Sequence, residues 1–155
     1  MTEESTLPIA STAKRTFSFV IDDLVIIVLL LVIFYDQLML IASQVPTVMT
    51  PEALATFQEE LNHFLADNLL MVLSLKVLYH TVLIWQNGMT LGKYVMKIKV
   101  VDESGRKVTF LMALFRAVLR IASEVLFYLG FLLAFFLPLK QTLHDKLSKC
   151  VVVDA

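Results

Sequence analysis

The sequence predicts a mainly α protein, a multi-pass membrane helical bundle that carries a small cytoplasmic two-stranded β element. Three observations predict it. Hydrophobic residues fill 58% of the 155 positions and charged residues only 17%, against roughly 45–50% and about a quarter in soluble domains. That excess gathers in three long runs instead of spreading through one core. Two short Val-rich segments, 95–102 and 150–153, lie outside those runs and read as strands that pair. The same numbers exclude an ordinary cytosolic enzyme, a secreted disulfide scaffold and a disordered chain. A net charge of −1 gives no general pull toward nucleic acid. The single cysteine, Cys150, cannot form an internal disulfide. One domain is expected over 14–153, after a loose polar tail at 1–13.

Lys14 and Arg15 precede the first apolar run, and a span is expected over about 17–41. Crossing about 30 Å of hydrocarbon takes roughly 20 helical residues. A cleaved signal peptide would have a shorter apolar centre of about 7–15 residues, and Asp22 and Asp23 stand near the start of this one. The connection that follows holds Pro46 and Pro51. Thr50-Pro51-Glu52 is a helix start: a side-chain cap, a proline suited to the first turn and an acid for the positive end. Leu54, Phe57, Leu61, Phe64 and Leu65 then recur at helical spacing, which predicts an amphipathic helix over 52–65 on the outer membrane surface or on the bundle. The second span is expected over 68–86, with Trp85 at an aromatic-belt position. The third apolar region, Val108 to Leu139, is long for a single crossing, with Gly130 partway along and Pro138 near its end. It reads as a helical hairpin, about 109–122 and 124–137, or as one kinked span.

Lys and Arg mark cytoplasmic loops. The 43–68 connection has none, whereas 87–107 has Lys93, Lys97, Lys99, Arg106 and Lys107. The N-terminus is therefore expected inside. Lys140, Lys146 and Lys149 put the tail on the same side, which favours the hairpin and lets the two Val-rich runs meet. The expected location is the cell (inner) membrane, with the lipid bilayer as partner.

Charges within the apolar runs are the candidate functional residues, because a charge at the bilayer centre costs about 2.5–3.5 kcal/mol on insertion scales. Arg15 and Asp22 are seven apart and share a helix face with Ser18. Either they interact, or Arg15 marks the boundary while Asp22 is part-hydrated. Arg116, Arg120 and Glu124 form an i, i+4, i+8 stripe. It either reaches for headgroups or faces Asp22 or Asp23 inside the bundle. Lys76, in mid-span, is expected to pair with an acid on another helix. His63 and His80 read as structural. His144-Asp145 has no nucleophile or second metal-spaced histidine near it in sequence, so no enzyme, metal or cofactor is expected. Gly88-Met89-Thr90-Leu91-Gly92-Lys93 lacks the phosphate-loop spacing and is read as having no helix after it, so nucleotide binding is rejected.

Taken together, these residues resemble the RDD family of small membrane proteins. The family pattern starts with an arginine and an aspartate seven residues on, here Arg15 and Asp22. A G-x-T-x-G-K block follows the second span, here Gly88, Thr90, Gly92 and Lys93, and runs into Val100-Val101-Asp102. Arg116 matches an arginine of the next helix, and Gln141, His144 and Asp145 match Q-x-x-H-D before a Val-rich finish. The resemblance covers about 14–153 and implies that the family's two aspartates are Asp22 and Asp145, not Asp22 and Asp23. Ser18 and Lys149-Cys150 depart from the usual alanine and Gly-Thr. Lys76 and Glu124 lie outside the pattern. The resemblance also implies a transport role, with sodium/proton exchange reported for some members.

Two functions are thus in view. In one, the chain translocates ions or protons as a homo-oligomer, with Asp22 binding the cation and Arg15 setting its charge. In the other, it is a structural or partner-binding membrane module in which Arg15, Asp22 and Asp145 lock the fold.

Overall fold

A computed structural model of the chain describes residues 7–45, 48, 50–125 and 141–155. It is mainly helical, with one two-stranded antiparallel sheet. Helix α1 spans Thr12–Ile33, capped by Ser11, whose hydroxyl accepts from the Lys14 amide at 3.3 Å. The expected single span of 17–41 is instead two helices, since the chain breaks at Phe34 and resumes as α2, Tyr35–Ser43. No proline or glycine causes the break. Phe34 turns inward at 5% exposure and meets the Phe64 ring edge-on at 5.3 Å.

Helix α3 runs Pro51–Asp67 with the Thr50 hydroxyl accepting from the Ala53 amide, as the Thr-Pro-Glu start predicts. Helix α4 covers Leu69–Asn87, within one residue of expectation. Gly88 ends it with φ 71, its amide donating to the Ile84 carbonyl at 2.8 Å. Its own carbonyl accepts from Val100 at 2.7 Å, and a Cβ there would stand 2.9 Å from the Val100 oxygen. Positive φ and close backbone approach together require glycine.

A short helix α5, Leu91–Val95, follows. Two expectations change here: a helix does follow the glycine block, and Val95 belongs to it, so strand β1 starts later, at Ile98–Asp102. β1 pairs with β2, Cys150–Asp154, in the register Ile98↔Asp154 to Asp102↔Cys150. Lys149, where the family pattern has glycine, takes a left-handed φ of 53 just before β2. Between the strands lie α6, Phe110–Val125, and α7, Leu143–Leu147, the latter opened by a Thr142–Asp145 capping box. α6 is unbroken through the expected hairpin corner at 122–124, and the rest of that expectation, 126–137, lies outside the described residues.

One face of the sheet packs with Ile84, Val108 and Ala113 through Ile98, Val100, Cys150 and Val152. The other face, Val101, Val151 and Val153, is covered by Leu7 and Ile9. The expected loose tail is therefore docked from residue 7 onward. Asp154 donates to the Pro8 carbonyl at 2.8 Å, Ala10 donates to Val152 at 3.0 Å, and Ile9 bridges Val153.

α1 is inside out for a soluble helix. Its buried residues are Ser18, Asp22 and Ile26, while Leu24, Ile27, Val28, Leu31 and Val32 are exposed. α1 and α4 are the two described helices long and apolar enough to cross a membrane.

Candidate functional site

Asp22 is fully buried on the inner face of α1, and four donors reach it from α4 and the glycine block. Oδ1 accepts from the Tyr79 hydroxyl at 2.9 Å and the Gly92 amide at 2.8 Å. Oδ2 accepts from the Thr90 hydroxyl at 2.6 Å and the Lys93 ammonium at 3.4 Å. Thr90 sits at the N-cap of α5 but makes no capping bond, because its hydroxyl is committed to the carboxylate. Gly92 is required for space: a Cβ would overlap the Ser18 carbonyl oxygen and lie 3.0 Å from the Asp22 carboxylate. The spacing thus has a mechanical reading. Thr90 and Lys93 bracket a residue without a side chain, so the α5 backbone can touch α1. Burial pushes the Lys93 ammonium down to about 8, against the opposing pull of Asp22.

Asp145, at the start of α7, forms the second centre. Arg116 donates through Nε to Oδ1 at 2.8 Å, and its Nη2 lies 2.6 Å from the same oxygen as an ion pair. Arg15 reaches Oδ2 at 3.4 Å and also donates to the Val152 carbonyl at 3.1 Å. The Thr142 amide adds a bond to Oδ2 at 3.3 Å. Burial alone would raise this carboxyl. The Arg116 charge above all, with the Arg15 charge and the Thr142 bond, outweighs it and holds the group well below the usual carboxylate range. His144 meets the Thr142 hydroxyl at 2.9 Å, and burial drives its imidazole down to about 3, so the ring is neutral at physiological pH. Burial also pushes the Cys150 thiol up.

A third cluster lies among α1, α4 and α6. Lys76 meets Glu124 at 2.7 Å, and Arg120 bridges Glu124 at 3.1 Å and Asp23 at 3.2 Å. The Arg120 guanidinium also lies 4.7 Å over the Phe19 ring.

These placements sort the sequence-derived candidates. Arg15, Arg116, His144 and Asp145 come together, and so do Asp22, Thr90, Gly92 and Lys93, while Gly88 serves the turn. The expected Arg15–Asp22 pairing is not formed. Arg15 is not among the donors to Asp22, because α5 fills that space and Asp145 lies nearer the start of α1. The headgroup-reaching alternative for the α6 stripe also fails, since Arg116 and Arg120 are each 4% exposed and bound to acids. Arg120 meets Asp23, one of the two acids weighed for it. Lys76 pairs with an acid on another helix as expected. Tyr79 was missed: a tyrosine in an apolar span carries no sign of its partner, and only spacing to the glycine block could have suggested it.

A cavity of about 240 Å³ adjoins the Asp145 centre, with Arg15, Ser18, Phe19, Lys93 and Arg116 among its walls.

The RDD family profile matches residues 9–149, nearly the whole chain. The chain belongs to the RDD family. It is also similar to the uncharacterized protein YxaI of Bacillus subtilis (strain 168), 36% identical over 91 residues, which cover 58% of this chain and 59% of that protein. The chain therefore spans well under two thirds of that relative's length. No solved structure matches.

Proposed function

We propose that this RDD protein is a non-enzymatic, multi-pass module of the cell membrane whose buried ion pairs lock a cytoplasmic platform, β1, β2 and α7, onto the membrane helices. The platform is the surface offered to a partner. Membrane residence is supported by α1, which buries serine and aspartate and exposes leucine, isoleucine and valine. That is the reverse of what water selects. A cytoplasmic N-terminus is supported by the Lys/Arg bias of 87–107 and by the N-terminal segment lying along β2.

One observation carries the lock reading. Asp145 gathers donors from α1 and α6 while capping α7. Removing one partner of such a buried pair typically costs about 3–5 kcal/mol. Asp145→Asn is expected to lower accumulation in membranes and thermal stability. Unchanged accumulation and stability would refute the lock.

A second reading, cation–proton exchange, has the Asp22–Lys93 pair behind it. Loss of the Lys93 proton would free a carboxylate oxygen for a cation. The test is protein reconstituted in liposomes, with a pH-sensitive dye followed through sodium or potassium pulses. Exchange requires a response that Asp22→Asn abolishes; equal traces from wild type and variant defeat it.

A further inference from the structure

We propose that the membrane-side rim of the platform, made by α5, α7 and the two corners that follow them, binds the headgroups of anionic phospholipids. The proposal rests on the membrane reading above and adds to it a lipid class and the residues that select it. The first ground is a likeness between the two halves of the platform. Thr90 and Thr142 each precede a five-residue helix, Leu91–Val95 and Leu143–Leu147. Both helices end in the same pair of backbone bonds. The Met96 amide donates to the Gly92 carbonyl and Lys97 to Tyr94, each at 3.1 Å, as Ser148 donates to His144 and Lys149 to Lys146, each at 3.2 Å. Each corner is closed by a lysine in the left-handed region, Lys97 at φ 54 and Lys149 at φ 53, and leads into a five-residue strand. The strand register is centred on Val100↔Val152. A two-fold relation therefore carries one helix–corner–strand unit onto the other and sets the corners at opposite ends of the sheet. Glycine would take either corner without strain; lysine holds a positive charge there at a conformational cost.

The second ground is depth. α5 lies at the level of the membrane helices, not above them. The Gly92 backbone touches α1 at Ser18, and the Leu91 amide donates to the Tyr79 hydroxyl of α4 at 3.2 Å. At that level α1 exposes Phe17 and Val20, and α4 exposes Leu78. The outward residues of α5, Leu91, Tyr94 and Val95, are also exposed and continue the apolar surface. Tyrosine is a residue that membrane–water interfaces select. α7 lies about one helical turn further out, where Asp145 meets Arg15 in the first turn of α1. It exposes Lys146 and Leu147.

The third ground is charge. Lys97, Lys146 and Lys149 are exposed and stand in no ion pair among the described residues. The platform's carboxylates have partners of their own: Asp102 has Arg106, Asp154 has Lys14, Asp145 has Arg116, and Glu103 accepts from Gln141. Hydrated lysines within two residues of exposed apolar side chains suit an anionic leaflet. Each basic group near such a surface strengthens attraction about fivefold.

The test is fluorescence quenching of the full chain in nanodiscs of phosphatidylcholine and phosphatidylglycerol, with one of the two lipids brominated at a time. The reporter is Tyr94→Trp, combined with Trp85→Phe to remove the single native tryptophan. At equal mole fraction, phosphatidylglycerol is expected to quench position 94 more strongly than phosphatidylcholine. High salt is expected to narrow the gap. Lys97→Gln, Lys146→Gln and Lys149→Gln together are expected to close it, by about fivefold in relative affinity for each lysine. Equal quenching by the two lipids before the lysines are changed, or a preference that survives in the triple variant, overturns the proposal and leaves membrane residence standing. No quenching at position 94 by either lipid also overturns it. Native Trp85, near the end of α4, then tells the failures apart: if brominated lipid quenches it, the membrane reading stands, and if not, both fall.

Discussion

Gly92→Ala tests whether the glycine block holds α5 against α1. Two effects oppose each other. Alanine favours a helix over glycine by up to about 1 kcal/mol, and Gly92 lies in α5. Against that, the added methyl would overlap the Ser18 carbonyl oxygen and stand 3.0 Å from the Asp22 carboxylate carbon and Oδ1. Neither neighbour can yield cheaply: one is backbone within the 22-residue α1, and the other is a carboxylate held by three other donors. Overpacking costs about 1–3 kcal/mol, and loss of the 2.8 Å Gly92 bond to the carboxylate adds about 1.5–3 kcal/mol. The clash wins by about 2–5 kcal/mol, a drop in Tm of roughly 5–20 °C for a chain of this size. Thermal unfolding of the detergent-solubilised protein measures it, with membrane accumulation as a second readout. A Gly92→Ala protein as stable as wild type, or more stable, would show that α5 does not touch α1 there.

Acid should weaken the fold early. The imidazole of His144 titrates at 6.5 when unfolded but is held down to about 3 when folded. Below 6.5 the unfolded chain therefore binds a proton that the native chain refuses, and stability falls from 6.5 toward 3. Asp145, also depressed in the fold, adds its own loss at the acid end of that range. Denaturation followed against pH should show the decline starting near 6.5, and His144→Gln should remove that upper part. Base should act the other way at Lys93, depressed from 10.5 to about 8. Between those values the unfolded chain holds the extra proton, so this group's contribution to stability rises with pH. Lys93→Met should flatten that rise in the same measurement. At the third cluster, Glu124→Leu alone leaves Lys76 unmatched and should cost about 3–5 kcal/mol, while Lys76→Met with Glu124→Leu should recover most of it. Thermal unfolding of both variants decides whether the 2.7 Å pair exists.

Helices and strands were legible where the signal is local. Thr50-Pro51-Glu52 marks the start of α3, Trp85 stands near the end of α4, and the Val-rich runs mark the two strands. The break at Phe34 was not, because an unbroken apolar run shows no stop and the inward turn depends on Phe64, thirty residues away. The docked N-terminal segment was missed for a related reason. Ile9 and Ala10 look like part of a polar tail until β2 provides an edge to pair with. Motif order revealed the family but not which charge meets which. Arg15 and Asp22 share a helix face, yet each finds its partner on a distant element, Asp145 on α7 and Lys93 on α5. Lys76 shows the opposite case, where the cost of a mid-span charge sufficed to predict an acid on another helix.

The account depends most on Asp145 joining α6 to α7, and a double-mutant cycle on Arg116 and Asp145 tests that directly. Arg116→Gln, Asp145→Asn and the double variant would be unfolded thermally under one condition. Contacts of 2.6 and 2.8 Å between buried groups predict that the single losses overlap, with a coupling of about 1–3 kcal/mol. Losses that add to within about 0.5 kcal/mol would mean that the two side chains do not interact.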